Sequence, residues 1–437
     1  MGLGEALRFW LKLGFVSFGG PAGQIALMHA ELVERRRWIS EKRFLHALNY
    51  CMVLPGPEAQ QLATYIGWLL HRSRGGIAAG ALFVLPSLVL LIALSWVYLA
   101  WGRLPVVAGL FYGLKPAVTA LVVHAAHRIG KRALRNGWLW GIAAAAFAAL
   151  LLLDAPFPLI VLAAALAGMA GGRLAPQAFA PGGGHAAAQQ GYGPAFIDDD
   201  TPPPPHARFS RGRLARVLAA GMALWLAAMA ALVLAFGLDG ALAQMGWFFT
   251  KAALLTFGGA YAVLPYVVQG AVEQHHWLSG AQMIDGLALG ETTPGPLIMV
   301  VAFVGFVGGW TKQLFGPDAL FLAGATAAGV VTFFTFLPSF VFILAGGPLI
   351  ESTHGRLGFT APLTAITAAV VGVILNLAVF FAGHVLWPQG LAGRFDGVAA
   401  LIALGAGVAL FRLRLGVMPV LGLCAGLGLA ATWLGAA

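Results

Sequence analysis

Residues 77–100 read IAAGALFVLPSLVLLIALSWVYLA and contain no charged side chain. A run of about 20 apolar residues is long enough to cross a bilayer as a helix. Inside lipid only structures that satisfy their own backbone hydrogen bonds persist, which leaves helices or closed barrels. Comparable segments recur at 106–127, 138–153, 157–172, 217–237, 319–345 and 397–411. Only 10% of the residues are charged, where soluble domains carry about 25%. The pattern predicts an all-α polytopic membrane protein. The net charge of +10 comes from Arg and Lys placed mostly between hydrophobic segments, as the positive-inside rule expects. It is not a nucleic-acid footprint. The beginning MGLGEALRFW lacks the pattern of a signal peptide. Cys51 and Cys424 are isolated in apolar surroundings, so neither a disulfide nor a metal site is expected, and no cofactor motif is present.

The chain also matches itself. Shifted by 239 positions, FWLKLGFVSFGGP falls on FFTKAALLTFGGA, VERRRWIS on VEQHHWLS, and VLPGP on TTPGP. Phe9, Lys12, Phe18, Gly19, Gly20, Val33, Glu34, Trp38, Ser40, Leu48, Pro55, Gly56 and Pro57 all recur identically. These rare residue types fall in blocks, which marks an internal duplication. FVLPS at 83–87 then resembles FTFLPS at 334–339 after a short insertion. The expected organisation is a first repeat over 1–172, a flexible cytoplasmic linker over 173–216, an extra transmembrane helix over 217–237, and a second repeat over 238–437. The linker is Gly/Pro-rich and polar, which predicts a solvated tether.

Basic clusters set the orientation. Arg35, Arg36, Arg37, Lys42 and Arg43, then Arg72 and Arg74, then Arg128, Lys131, Arg132 and Arg135, and then the linker arginines fall on one side if four segments of the first repeat cross. The extra helix carries the chain outward, so the second repeat is expected upside down. ERRRWISEKR in the first half becomes EQHHWLSGAQ, without Lys or Arg, in the second. Arg356, Arg412 and Arg414 fall inside on this scheme. The segments 5–34, 41–72, 244–272 and 281–309 are interrupted, and are expected as re-entrant hairpins. If each crosses instead, the later topology is unchanged.

The interruptions are Ser17-Phe18-Gly19-Gly20-Pro21, Pro55-Gly56-Pro57, Thr256-Phe257-Gly258-Gly259 and Thr292-Thr293-Pro294-Gly295-Pro296. Broken backbone at membrane depth is tolerated where it lines a cavity or is buried in protein. Glycine lets the chain turn and approach a ligand, and proline suits the first turn of a new helix. Four half-helix N-termini result, each carrying the positive end of a dipole of roughly half a charge. Aimed at a shared cavity they make an anion site. Packing kinks are the alternative. Gln24, Gln60, Gln61, Thr64 and Tyr261, with the threonines above, can add neutral hydrogen bonds. Lys12 and Lys251 are equivalent intramembrane cations, functional or snorkelling to an interface. Glu58 and Glu291 lack acidic counterparts, and either caps a half-helix or carries a proton.

At FVSFGGPAGQIALMH, RRRWISEKRFLHAL, LPGPEAQQLATYIGW and LLTFGGAYAVLP the chain resembles two-domain members of the chromate ion transporter family. The resemblance covers both halves. It implies export of chromate from the bacterial cytoplasm across the inner membrane, with sulfate as chemical look-alike, and chromate resistance as the consequence. The family pattern carries over to Phe18, Gly19, Gly20, Pro21, Trp38, Ser40, Pro55, Gly56, Pro57 and Gln60, and to Phe257, Gly258, Gly259, Pro294, Gly295 and Pro296. Ala260 stands where the first half has Pro21, so the second turn is expected to differ in detail. Partners are then the oxyanion and the lipid bilayer, and a homodimer is left open. An anion channel is the competing function. No ATP-binding P-loop, HExxH or GxSxG motif occurs, so an enzyme is the weaker reading.

Overall fold

The computed structural model describes residues 2–180, 192–202, 204–353, 360–390 and 392–435. Arg356 lies outside them. The described residues are mainly helical, without a β-sheet, and six helices among them are long and apolar enough to cross a membrane. The chain is an all-α polytopic membrane protein.

The first repeat begins with α1 (Leu3–Val16) and α2 (Gly20–His29), which runs into a π-turn at Ala30–Arg35. Next come α3 (Glu41–Cys51), α4 (Glu58–Trp101), α5 (Pro105–Ala133), α6 (Gly137–Leu153) and α7 (Phe157–Leu174). The extra helix is α8 (Arg211–Phe236). The second repeat follows the same order: α9 (Ala241–Leu255), α10 (Ala260–Val267) with a π-turn at Val268–Gln274, α11 (Gly280–Thr292), α12 (Val300–Thr311), α13 (Leu320–Thr353), α14 (Thr360–Leu386), α15 (Gly397–Phe411) and α16 (Val417–Trp433). Local signals recur with the repeat. Ser40 caps α3 by accepting from the Arg43 N–H at 3.3 Å, and Ser279 caps α11 in a capping box with Gln282. Each serine satisfies an end donor that has no partner within its own helix.

Each interrupted segment folds back on itself. Glu5 near the start of α1 lies 3.7 Å from Arg36, and Phe9 stacks edge-on against Trp38. Phe248 of α9 contacts Trp277 in the same way. Arg43 at the start of α3 and Tyr65 beyond the break both reach Glu351. A Cβ on Gly286 of α11 would press into Phe303 of α12. Helix α4 itself reverses at His71 and Arg72, whose backbone leaves the helical region. The close approach of Gly67 to Gly75 and of Trp68 to Gly76 packs its two limbs together. The result is four helical hairpins whose tips are the four interruptions.

The repeats interlock reciprocally. Helix α5 packs on α15 and α16, and α14 packs on α6 and α7. Within each repeat the first helix lies on the long helix, α1 on α4 and α9 on α13. Helix α13 rises roughly 50 Å over its 34 residues. Arg43, in the first turn of α3 just after the 35–40 loop, meets the C-terminal end of α13 at Glu351, whereas the Trp277 carbonyl accepts a hydrogen bond from Thr311, just ahead of the N-terminal end of α13. The equivalent loops of the two repeats therefore sit at opposite ends of one long helix.

The linker departs from a solvated tether. Ile197 pairs with Ile39, Ser40 Oγ donates to Asp199 at 2.5 Å, Arg43 donates to the Thr201 carbonyl, and a ring nitrogen of His206 meets the Trp68 carbonyl at 2.9 Å. Ile197 and Ala207 are buried. Composition conceals this because a few apolar anchors suffice to dock a polar strap; residues 181–191 lie outside the described part.

Candidate functional site

The tips meet across the repeats. The Gly56 N–H donates to the Thr256 carbonyl at 2.7 Å, and the equivalent Gly295 N–H donates to the Ser17 carbonyl at 2.8 Å. Each pair joins a Pro-Gly-Pro tip of one repeat to a Phe-Gly-Gly tip of the other. Helices α1 and α9 end at Ser17 and Thr256, where terminal carbonyls have no partner in their own helix. The opposite repeat supplies one. Gln24, fully buried, adds to the second junction by donating to the carbonyls of Gly295 and, at 3.3 Å, Ser17.

This corrects the expectation that all the tip N–H groups are free. Those of Gly56 and Gly295 are spent on stitching the halves together. The hydroxyls of Ser17, Thr256, Thr292 and Thr293 are spent too, since each donates to a carbonyl three or four residues earlier. What stays available is backbone. Among the described residues the N–H groups of Gly20 and Ala22 at α2, of Glu58, Ala59 and Gln60 at α4, and of Ala260 and Tyr261 at α10 make no hydrogen bond. The same holds for Leu297 and Ile298, which open the short turn before α12. Three helix starts and this turn thus leave donors unpaired around the junctions.

The glycines divide by environment. Gly19, Gly20, Gly56, Gly258, Gly259 and Gly295 all have positive φ. A Cβ on Gly20 or Gly259 meets nothing within 4 Å. A Cβ on Gly295 would lie 2.7 Å from Ser87 Cβ, and one on Gly56 would run into Ser339 and Gln61. Ser87 and Ser339 belong to the repeated Leu-Pro-Ser and were not singled out from sequence, although the recurrence of that tripeptide marks them. The difference at Ala260 is real: Gly19 caps α2 at φ 89°, ψ 22°, whereas Gly259 caps α10 at φ 99°, ψ 173°. The second half-helix starts one equivalent position later.

The other candidates fall on both sides of this line. Gln60 and Gln61 are fully buried behind the Pro55-Gly56-Pro57 tip; Gln61 Nε2 donates to the Pro55 carbonyl at 2.8 Å, and Gln60 Nε2 to Thr64 at 3.0 Å. Their carbonyl oxygens, like that of Gln24, face no donor among the described residues. Tyr261 donates to Glu291, which places a buried acid beside the α10 start. Glu58 opens α4 without a hydrogen-bond partner among the described residues, and Pro57, Pro294 and Pro296 frame the tips. Phe18 is exposed and Phe257 half-buried. Lys12 and Lys251 stay on the outer surface. Lys12 lines a groove with Arg8 and Arg36, and Lys251 lies over Trp247 at 5.8 Å. Neither is brought to the tips, as a snorkelling lysine would not be.

Sequence reasoning missed one buried charge group. Asp285 of α11 meets Lys115 Nζ at 3.4 Å and accepts from the Tyr98 hydroxyl at 2.8 Å. A lone acid inside the apolar stretch MIDGLALG was the available signal. Among the described residues no cluster of His, Cys, Asp and Glu is arranged to hold a metal.

The description "Chromate transporter" attaches to the family whose pattern matches residues 4–169 and 243–429, which are the two repeats. A chromate transport protein of Pseudomonas aeruginosa is 37% identical over 369 residues, 84% of this chain and 77% of that one. A chromate transport protein of Cupriavidus metallidurans is 29% identical over 382 residues, 87% of this chain and 82% of its own length. A probable chromate transport protein of Synechococcus elongatus is 26% identical over 378 residues, covering 86% and 84%. No solved structure matches.

Proposed function

Because this chain belongs to the chromate transporter family, we propose that it is a secondary transporter exporting chromate, or a related oxyanion such as sulfate, from the cytoplasm. Membership points to a transporter rather than an enzyme, embedded as a multi-pass membrane protein. The anion is held by half-helix N-termini where the repeats meet. The observation that carries this reading is the reciprocal pair of tip contacts, Gly56 to Thr256 and Gly295 to Ser17, with unpaired N–H groups and open-faced Gly20 and Gly259 beside them. A dianion there gains from several dipole ends without a buried cation to hold it too tightly.

The two repeats, 1–172 and 238–437, are inverted in this reading and joined through the strap 173–216 and the helix 217–237. Its support is the placement of equivalent loops at opposite ends of α13. The hairpins are then re-entrant, two from each face, with their tips at mid-depth. Rocking of one repeat against the other exposes the tips alternately. In the bacterial inner membrane, a dianion leaving a negative interior gains about 4.6 kcal/mol at 100 mV, so export needs no ATP. The test is flux from proteoliposomes loaded with chromate or sulfate. Saturable exchange between the two anions supports a carrier. Conductance that never saturates and shows no exchange marks a channel and overturns the proposal.

A further inference from the structure

Asp285 is 3% exposed and its partners come from the other repeat: Lys115 on α5 and Tyr98 on α4. Both reach the same oxygen, Oδ2. Oδ1 is buried and has no partner among the described residues. An ionised carboxylate has about four acceptor sites, so this one is only half satisfied, and a bare buried carboxylate oxygen is costly. Lys115 keeps an open side, with its side chain 31% exposed.

The cluster lies between the tips and the face that carries the 275–279 loop. On α11, Glu291 beside the tip is six residues from Asp285, about 9 Å along the helix. On α4, Ser87 packs beside Gly295, and Tyr98 is eleven residues further, about 16 Å. An anion that leaves the tips along α4 and α11 toward that face would meet the cluster on its way. A proton on Oδ1 would cancel the carboxylate charge and take Lys115's counter-ion away. The ammonium, with three donors and no carboxylate, is then ready for an oxyanion.

Resting on the transporter reading above, we propose that Asp285, Lys115 and Tyr98 form a site that takes up one proton and one tetrahedral oxyanion together. The carboxylate accepts a proton from hydronium, giving carboxylic acid and water. Lys115 keeps its three protons and exchanges a carboxylate oxygen for an oxyanion oxygen. No bond of the oxyanion breaks. Each ligand strengthens the other by the same factor. Few other groups bear on Asp285. Helix α12 has no ionisable side chain; α16 carries Cys424, α14 brings His384 beside Gly280, and the π-turn carries Glu273. Along α11 itself Glu291 is held by Tyr261. Among the described residues only Lys115 and Tyr98 make a hydrogen bond or ion pair with the Asp285 side chain.

The test is calorimetric binding of sulfate, a dianion throughout this range, to the purified full chain near pH 6 and near pH 8, in buffers of different ionisation heat. Wild type should bind about tenfold more tightly at the lower pH, a coupling of about 1.4 kcal/mol, and take up about half a proton per anion on average between the two values. Asp285→Asn should bind at both values as wild type does near pH 6, with no proton uptake. Lys115→Gln should bind about tenfold more weakly and lose the pH dependence. Should Asp285→Asn fail to fold, Tyr98→Phe removes a donor from the ionised acid and should move the binding midpoint to higher pH. Retained proton uptake in Asp285→Asn, wild-type affinity in Lys115→Gln, or an unmoved midpoint in Tyr98→Phe overturns the proposal. Wild type that binds sulfate equally at both pH values overturns it while sparing the transporter reading. Wild type that binds no oxyanion at all overturns the transporter reading itself.

Discussion

At the Pro-Gly-Pro tips a side chain on Gly56 or Gly295 would run into Ser339 or Ser87, while at the Phe-Gly-Gly tips one on Gly20 or Gly259 meets open space. All four glycines have positive φ, so backbone geometry alone does not separate them. The first pair lets two backbones touch and hydrogen-bond across the repeats. The second pair keeps space beside unpaired N–H groups. One kind of tip joins the halves; the other keeps the open space that the proposed anion site uses.

That comparison breaks most directly by filling the space. Gly20→Leu and Gly259→Leu should each lower oxyanion flux by at least roughly 100-fold, about 2.7 kcal/mol or more. The protein should still fold, since a side chain at the positive φ of Gly20 costs about 1–2 kcal/mol and one at the more restrictive backbone of Gly259, φ 99° and ψ 173°, about 1–3 kcal/mol. Normal flux in either well-folded variant would remove the tips from the transport path. Gly295→Ala should act in the opposite sense, through stability. Overpacking against Ser87 adds about 1–3 kcal/mol to the backbone strain, read as a lower thermal midpoint in detergent. An unchanged midpoint would mean that the junction yields easily.

A third comparison separates the halves themselves. In a background lacking Cys51 and Cys424, cysteines at the exposed and equivalent positions Arg35 and Gln274 should label from opposite faces of the membrane; labelling from one face would end the inverted arrangement. Gln24 sharpens the two junctions. It bridges Ser17 and Gly295, and its equivalent at the other junction is Val263. Gln24→Leu should cost about 1–2 kcal/mol of stability, whereas Val263→Ala should leave the contact between Gly56 and Thr256 intact. The smallest effect concerns the strap. Burial pushes the His206 imidazole below its ordinary value of 6.5, so its neutral form is favoured when docked. Docking is fully stabilised above that value and weakens as pH falls through it. Hydrogen exchange over 192–202 should speed up modestly on acidification, and His206→Gln should flatten that response.

Much of this architecture is written in the chain. The match at a shift of 239 locates all four tips, and the serines at 40 and 279 announce the helices that follow. The tip partners are not written there. Gly295 and Ser17 lie 278 positions apart, and a backbone N–H carries no residue-specific signature. Hence the sequence presents four sets of free donors, where two glycine donors are consumed. Lys115 and Asp285 are each visible as charges in apolar helices, but their meeting depends on how α5 and α11 pack across the repeats. Lys12 and Lys251 mislead in the other direction, since recurrence marks an equivalent position without saying which side of the helix faces the tips.

The central claim is that an oxyanion crosses where the tips of opposite repeats meet. It is tested most directly by sulfate and chromate flux from loaded proteoliposomes at fixed pH, with the potential clamped by potassium and valinomycin, for wild type beside Gly259→Leu. The account predicts saturable wild-type flux that rises as the loaded interior is made negative, and none in Gly259→Leu. Wild-type flux that ignores the potential would contradict the electrogenic mechanism, and equal flux from the variant would contradict the site.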